Sequence, residues 1–220
     1  MTPIIGGLVG VLTPMAFVLL LRQVFFVRGE PGGFGLFAAG AAAAFIALIA
    51  ERSLWAWFDP VLPAGWAPMI RAFLLIGLVE ELAKTALIYA QLFKRGLSWR
   101  RYAIAAAWIG AGFAGAENCL YILSHGVDVV FMRSFTATPF HVLNAVVAAR
   151  LLWVGVAEGR NGLIVAALVL AVLLHGLYDY LIFIDQIGEG KFWFALTLTV
   201  AIALTLLSRS DDVARPSLGQ

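Results

Sequence analysis

Of 220 residues, 62% are hydrophobic and only 13% are charged, and the mean hydropathy is +0.94. An apolar share well above the roughly 45–50% of soluble domains excludes an ordinary soluble domain and implies one polytopic integral membrane domain over residues 1–220. The net charge of +2 is spread by membrane topology and gives no nucleic-acid partner, and a single cysteine, Cys119, excludes an intrachain disulfide framework.

The N-terminus lacks a basic leader and a clear Ala-x-Ala site, so it reads as a retained first span over about residues 4–26. Pro14 bends that span, and Arg22 and Arg28 mark its far end. Glu30-Pro31-Gly32-Gly33 is a turn. The second span, about 34–50, is thin at Gly40 and Ala41–Ala44, which lets another backbone approach. Residues 51–67, with Trp55, Trp57 and Trp66, read as an interfacial loop in an aromatic belt.

The third span runs over about 68–93, with Pro68 as a good first helical residue. A basic loop of Lys94, Arg95, Arg100 and Arg101 follows, then a fourth span over about 102–123. Residues 124–137 read as a partly apolar loop. The fifth span, about 138–156, opens with Thr138 as N-cap and Pro139 at the first helical position. The sixth and seventh cover about 163–184 and 192–207, and residues 208–220 form a polar tail that frays. The expected fold is therefore an all-α polytopic membrane helical bundle of about seven transmembrane helices, with a core over about 68–184. Basic residues concentrate on the side of the first, third and fifth loops and the tail. Against them stand only Arg52, Arg133 and Lys191, so the positive-inside rule places the C-terminus in the cytoplasm.

The third span carries Glu80-Glu81-Leu82-Ala83-Lys84 near its middle. A charge there costs roughly 2.5–3.5 kcal/mol unless it pairs or works. Glu80 and Lys84 share a helix face, whereas Glu81 points about 100° away, toward a different neighbour. Further polar residues lie in three other spans: Glu117 and Asn118 in the fourth, His141 and Asn144 in the fifth, His175 and Asp179 in the sixth. Counted from the outer ends at about 1.5 Å per residue, Glu80 lies roughly 18 Å deep, His175 roughly 13 Å and Glu117 roughly 9 Å. Four helices thus bring acids and histidines toward one level in the outer half of the bilayer. Taken singly, each has a structural reading: a buried Glu–Lys clip, an interface histidine, a hydrogen-bonded His–Asp pair, or interhelical bonds from Asn118 and Asn144.

Glu80-Glu81-x-x-Lys84, Phe113-x-x-x-Glu117-Asn118, His141 in its own span and His175-x-x-x-Asp179 resemble, in order and setting, the motifs of the PrsW family of intramembrane proteases. The resemblance covers about residues 76–181. It extends to a wider group that includes CAAX prenyl endopeptidases and bacteriocin-immunity membrane proteins. There a histidine stands in place of Glu117, and an asparagine often in place of Asp179. The resemblance implies a bacterial inner-membrane location, a catalytic core of four helices and hydrolysis of membrane-anchored protein substrates, anti-sigma factors among them.

The residues suit that chemistry. Hydrolysis of a peptide bond needs an activated water, a stabilised oxyanion and a proton for the leaving amine. Glu80 is the candidate base, with Lys84 offsetting its charge, and Glu117 helps bind the water. His175, oriented by Asp179, donates, and Glu81 holds His141 or His175 in place. Phe113, Asn118 and Asn144 support the set. A metal version has zinc on His141, His175 and Glu117, with Glu80 as base. His-Glu-x-x-His is absent from the sequence, so a glutamate-activated water without a metal is the simpler version. The rival classes are a proton- or solute-coupled carrier and a non-enzymatic membrane assembly or immunity protein. A carrier built on inverted halves should show an internal repeat, and none is evident.

Overall fold

The structure is a computed structural model and describes residues 2–24, 33–92, 98–184, 190 and 192–208. It is an all-α membrane bundle with no strand among the described residues. Helix α1 spans Pro3–Val24 and α2 Gly33–Phe58, followed by one 3₁₀ turn over Asp59–Val61. A composite helix then comprises α3 (Ala67–Ile70), a π-helical stretch (Arg71–Gly77) and α4 (Leu78–Gln91). Helices α5 (Trp99–His125), α6 (Val129–Phe135), α7 (Ala137–Ala157), α8 (Asn161–Ile184) and α9 (Phe192–Ser208) complete the order.

Five segments are long and apolar enough to cross a membrane: residues 3–23, 33–61, 99–125, 129–157 and 161–184. The composite helix carries Arg71, Glu80, Glu81 and Lys84, which keep its hydropathy down, and the apolar part of α9 is shorter.

The sequence reading needs correction at three places. Helix α2 does not stop near Ala50: its run from Ala41 to Phe58 has no glycine or proline, and Asp59-Pro60 is the first breaker. Glu51, Arg52, Trp55 and Trp57 are therefore helical. The expected loop 124–137 contains α6. Helix α7 starts at Ala137, before Thr138, and Thr136 at its N-cap sends its hydroxyl back to the Met132 carbonyl, leaving no side-chain cap. The turn at residues 30–32, the basic pair Lys94 and Arg95, and the tail beyond Ser208 lie outside the described residues.

Helix α5 is the centre of the bundle. Its face from Tyr102 to Ala116 is buried, and it packs on α1, α2, α4, α6 and α7. Small residues set these distances. A Cβ on Gly40 would overlap the Ile109 carbonyl and one on Gly112 the Phe37 carbonyl, so α2 and α5 cross with their backbones touching. Ser98 caps α5 by accepting from the Arg101 amide. Ile4, Leu8 and Leu12 of α1, Phe45, Ile46 and Ile49 of α2 and Phe194 of α9 point outward, as lipid-facing side chains do.

Candidate active site

The π-helical stretch ends three residues before Glu80. A wider turn rotates the residues that follow relative to a plain α-helix. The stretch is seated on α8 where Gly176 lacks a Cβ, since one there would collide with the Phe73 ring. Gly176 follows His175, so the contact that positions α4 adjoins the histidine it must meet.

The side chains of α4 then reach three other helices. Lys84, with 0% of its surface exposed, is gripped from several sides. Its Nζ lies 2.6 Å from Glu81 Oε1, 3.5 Å from Glu80 Oε2 and 3.1 Å from His141 Nδ1, and 4.3 Å above the Phe113 ring. The closer acid is Glu81, not Glu80: Glu81 reaches a neighbour on another helix, as expected, and takes the lysine as well. Three residues of helix still leave two side chains on neighbouring faces.

Glu81 also accepts from His175 Nδ1 at 2.7 Å. A carboxylate can only accept, so Nδ1 carries the proton and Nε2 is left facing Glu80 Oε2 at 3.7 Å and Asp179 Oδ2 at 3.4 Å. The back of His175 is thus held by Glu81, and Asp179 lies on its front. His141 Nε2 lies 2.7 Å from Glu117 Oε2, while Nδ1 accepts from Lys84. Arg133 of α6 approaches the same Glu117 oxygen at 3.0 Å, donates Nε–H to Asn118 Oδ1 at 2.9 Å and stacks 3.7 Å from the Tyr121 ring. Asn118 in turn donates to the Gly10 carbonyl and to Thr138 Oγ1, and Asn144 donates to the Ala171 carbonyl.

A continuous polar chain therefore runs Arg133–Glu117–His141–Lys84–Glu81–His175, with charges alternating along it, across α6, α5, α7, α4 and α8. Glu80 stands beside it. Its Oε2 is buried and makes no hydrogen bond. In a low-dielectric interior that is costly, and such a group is kept where a ligand, water or reacting atom completes it.

Glu80 opens into a cavity of about 1050 Å³. Its wall comes from one end of the bundle: the C-terminal halves of α2, α5 and α8, with α6 and the start of α7. Glu117, His141 and Asp179 face it with Glu80. Four charged residues of its wall lie outside the set expected from the sequence: Glu51, Arg52, Asp128 and Arg133. Glu51, placed in a loop, is on α2 and lines the wall, with Oε1 buried and unpartnered; the unbroken helix-forming run up to Phe58 was the available signal. Arg133, which enters the sequence reading only through topology, is a lone arginine between Val129–Met132 and Phe135, itself a sign of a buried role.

Glu80, His141 and His175 each offer one ligand atom, and the three atoms lie within 4.8 Å of one another. Two histidines and a carboxylate are a common catalytic zinc set, and a Glu80 oxygen that makes no hydrogen bond suits it. Each imidazole also has one nitrogen at a carboxylate, Glu81 or Glu117, which is the usual support for a ligating histidine. The donors fit. The carboxylate of the set is Glu80, however, and Glu117, expected as a ligand, stands behind His141.

A model of the PrsW family, described as intramembrane metalloproteases, matches residues 33–207. The chain is 34% identical over 116 residues to "Protease PrsW" of Halalkalibacterium halodurans, covering 51% of this chain and 54% of that protein. It is 29% identical over 157 residues to the protein of that name from Geobacillus kaustophilus, covering 68% of each, and 29% identical over 125 residues to that of Bacillus subtilis, covering 54% and 56%. It thus spans little more than half the length of the first and third of these relatives. No solved structure matches the chain.

Proposed function

The chain belongs to the PrsW family, and from that premise we propose that it is an intramembrane endopeptidase that hydrolyses peptide bonds of membrane-anchored proteins, anti-sigma factors being the substrate type. The observation that carries this reading is the buried Glu80 oxygen at a cavity wall, which makes no hydrogen bond and has Lys84 Nζ 3.5 Å and His175 Nε2 3.7 Å away. The curated relatives are named proteases, which supports the same reading.

Water held at Glu80 Oε2, with help from Glu117, loses a proton to Glu80 as it attacks the scissile carbonyl. The new C–O bond forms and the carbonyl pair moves to oxygen. Glu80 passes its proton to His175 Nε2, which delivers it to the leaving amine as the C–N bond breaks. Glu81 keeps Nδ1–H of His175 engaged, so the ring presents Nε2 toward Glu80 and Asp179. The Lys84 ammonium supplies fixed positive charge near the developing oxyanion. His141, with both nitrogens engaged, holds Lys84 in place. Burial of Glu80, Glu81, Lys84 and His175 lowers the local dielectric, which strengthens each of these interactions.

The second reading is a metal centre, favoured by the convergence of Glu80, His141 and His175. A zinc ion held by these three would acidify a bound water and polarise the substrate carbonyl. The metal-free reading is preferred because Lys84 already occupies the Nδ1 side of His141 and is anchored by Glu81. A divalent ion would have to displace that buried cation.

The cavity lies at the end of the bundle away from Arg100 and Arg101, so we place it toward the outer face of a bacterial cell membrane with the C-terminus in the cytoplasm. The test is incubation of purified wild-type and Glu80→Ala protein with a single-span membrane substrate. Cleavage by the wild type alone is expected. Cleavage by neither, across a panel of such substrates, would favour a carrier or an assembly protein.

A further inference from the structure

We propose that Arg133, on the short helix α6, is a positioning residue for the reaction: it fixes Glu117, and through Glu117 it sets the His141–Lys84 arm of the polar chain. The inference rests on the proteolytic reading above.

The geometry around Arg133 is that of a fixed guanidinium. Three residues of α5 hold it: Glu117 at 3.0 Å from Nη2, Asn118 accepting Nε–H at 2.9 Å, and the Tyr121 ring 3.7 Å from the guanidinium carbon. The first two are adjacent and the third is one turn on, so the planar group reads a single helix face. Lysine cannot reproduce that fork. Asn118 is itself pinned to Gly10 of α1 and Thr138 of α7, so the anchor does not float.

What the anchor does follows from Glu117. Without Arg133, the carboxylate would have His141 Nε2, at 2.7 Å, as its one remaining close partner, and it could swing into the cavity that it lines. His141 would then lose the contact that directs Nδ1 toward Lys84. Lys84 would keep Glu81 but lose its orientation relative to Glu80. Arg133 is remote from Glu80 in the chain, yet only three links separate it from the ammonium. It also lines the cavity, at the wall formed by α6.

The test uses the full chain purified in detergent, with two readouts. In the cleavage assay, Arg133→Ala should lower kcat by about 10–100-fold with little change in KM, as loss of an orienting partner does. Methylguanidinium added to the buffer should restore part of that loss, and Arg133→Lys should fall between the two. The second readout does not need activity. The chain has three histidines, so ¹⁵N-histidine spectra with His125→Gln and His141→Gln as assignments resolve His141. Wild type should show one protonated and one bare nitrogen with a strongly hydrogen-bonded Nε2 proton, and Arg133→Ala should weaken or average that proton signal.

Wild-type kcat in Arg133→Ala, or an unchanged His141 spectrum, overturns the inference. Should Arg133→Ala fail to fold, Arg133→Lys decides by the same two measurements. If the wild type cleaves nothing, the proteolytic reading has failed, and the His141 spectrum still reports whether Arg133 sets that ring.

Discussion

Glu80→Gln and Glu81→Gln make the same isosteric change at adjacent residues and should have opposite consequences. Glu81 Oε1 receives Lys84 Nζ at 2.6 Å and His175 Nδ1 at 2.7 Å. Removing one member of a buried ion pair costs about 3–5 kcal/mol. Glutamine keeps one acceptor oxygen, so Glu81→Gln should destabilise by about 2–4 kcal/mol. Glu80 Oε2 has no hydrogen bond to lose and sits 3.5 Å from a lysine that retains its closer partner. Glu80→Gln should therefore cost about 1 kcal/mol or less in stability. The order reverses for activity. Loss of a general base costs about 10²–10⁴-fold, or about 3–5 kcal/mol of barrier. Loss of the group that orients His175 costs about 10–100-fold. Stability can be followed by thermal unfolding in detergent using the intrinsic fluorescence of the seven tryptophans. Activity is read from single-turnover cleavage of a single-span substrate. A folded Glu80→Gln protein that cleaves at the wild-type rate, or a Glu81→Gln protein as stable as wild type, would refute the division of roles.

Lys84→Met should leave Glu80 in place but impair both stability and cleavage, and equal losses in Lys84→Met and Glu80→Gln would mean that the pair is only a structural clip. Cleavage should survive thorough chelation; its loss, with recovery on adding zinc and loss of bound zinc in His175→Ala, would transfer the site to the metal reading. In a Cys119→Ala background, a cysteine at position 125 should be labelled by an impermeant reagent from outside intact cells and one at position 100 should not, and the reverse pattern would invert the topology. Gly112→Ala should lower stability by about 1–3 kcal/mol because the new Cβ meets the Phe37 carbonyl, whereas Gly35→Ala, with open space at its Cβ, should be silent in the same melting experiment.

Much of this was legible in one dimension. Hydropathy and run length identify a helical membrane protein, because the bilayer admits only segments whose backbone bonds are satisfied internally. Charges inside those segments mark Glu80, Glu81, Lys84, Glu117, His141, His175 and Asp179, because a charge there is expensive enough to need a reason. The tertiary structure alone decided who meets whom. Helical spacing suggests Glu80–Lys84 and His175–Asp179 as pairs, since four residues bring side chains to one face. Both pairs form, at 3.5 and 3.4 Å, but the closer partners come from the fold: Lys84 meets Glu81 and His141, the back of His175 meets Glu81, and Glu117 lies between His141 and Arg133. Spacing describes neighbours on one helix, whereas contacts between helices depend on how each is rotated and how deep it sits. Those are set here by the π-helical stretch before Glu80, by the glycine crossings of α2 with α5 and of α8 with Phe73, and by the extension of α2 and the presence of α6, which bring Glu51 and Arg133 to the cavity.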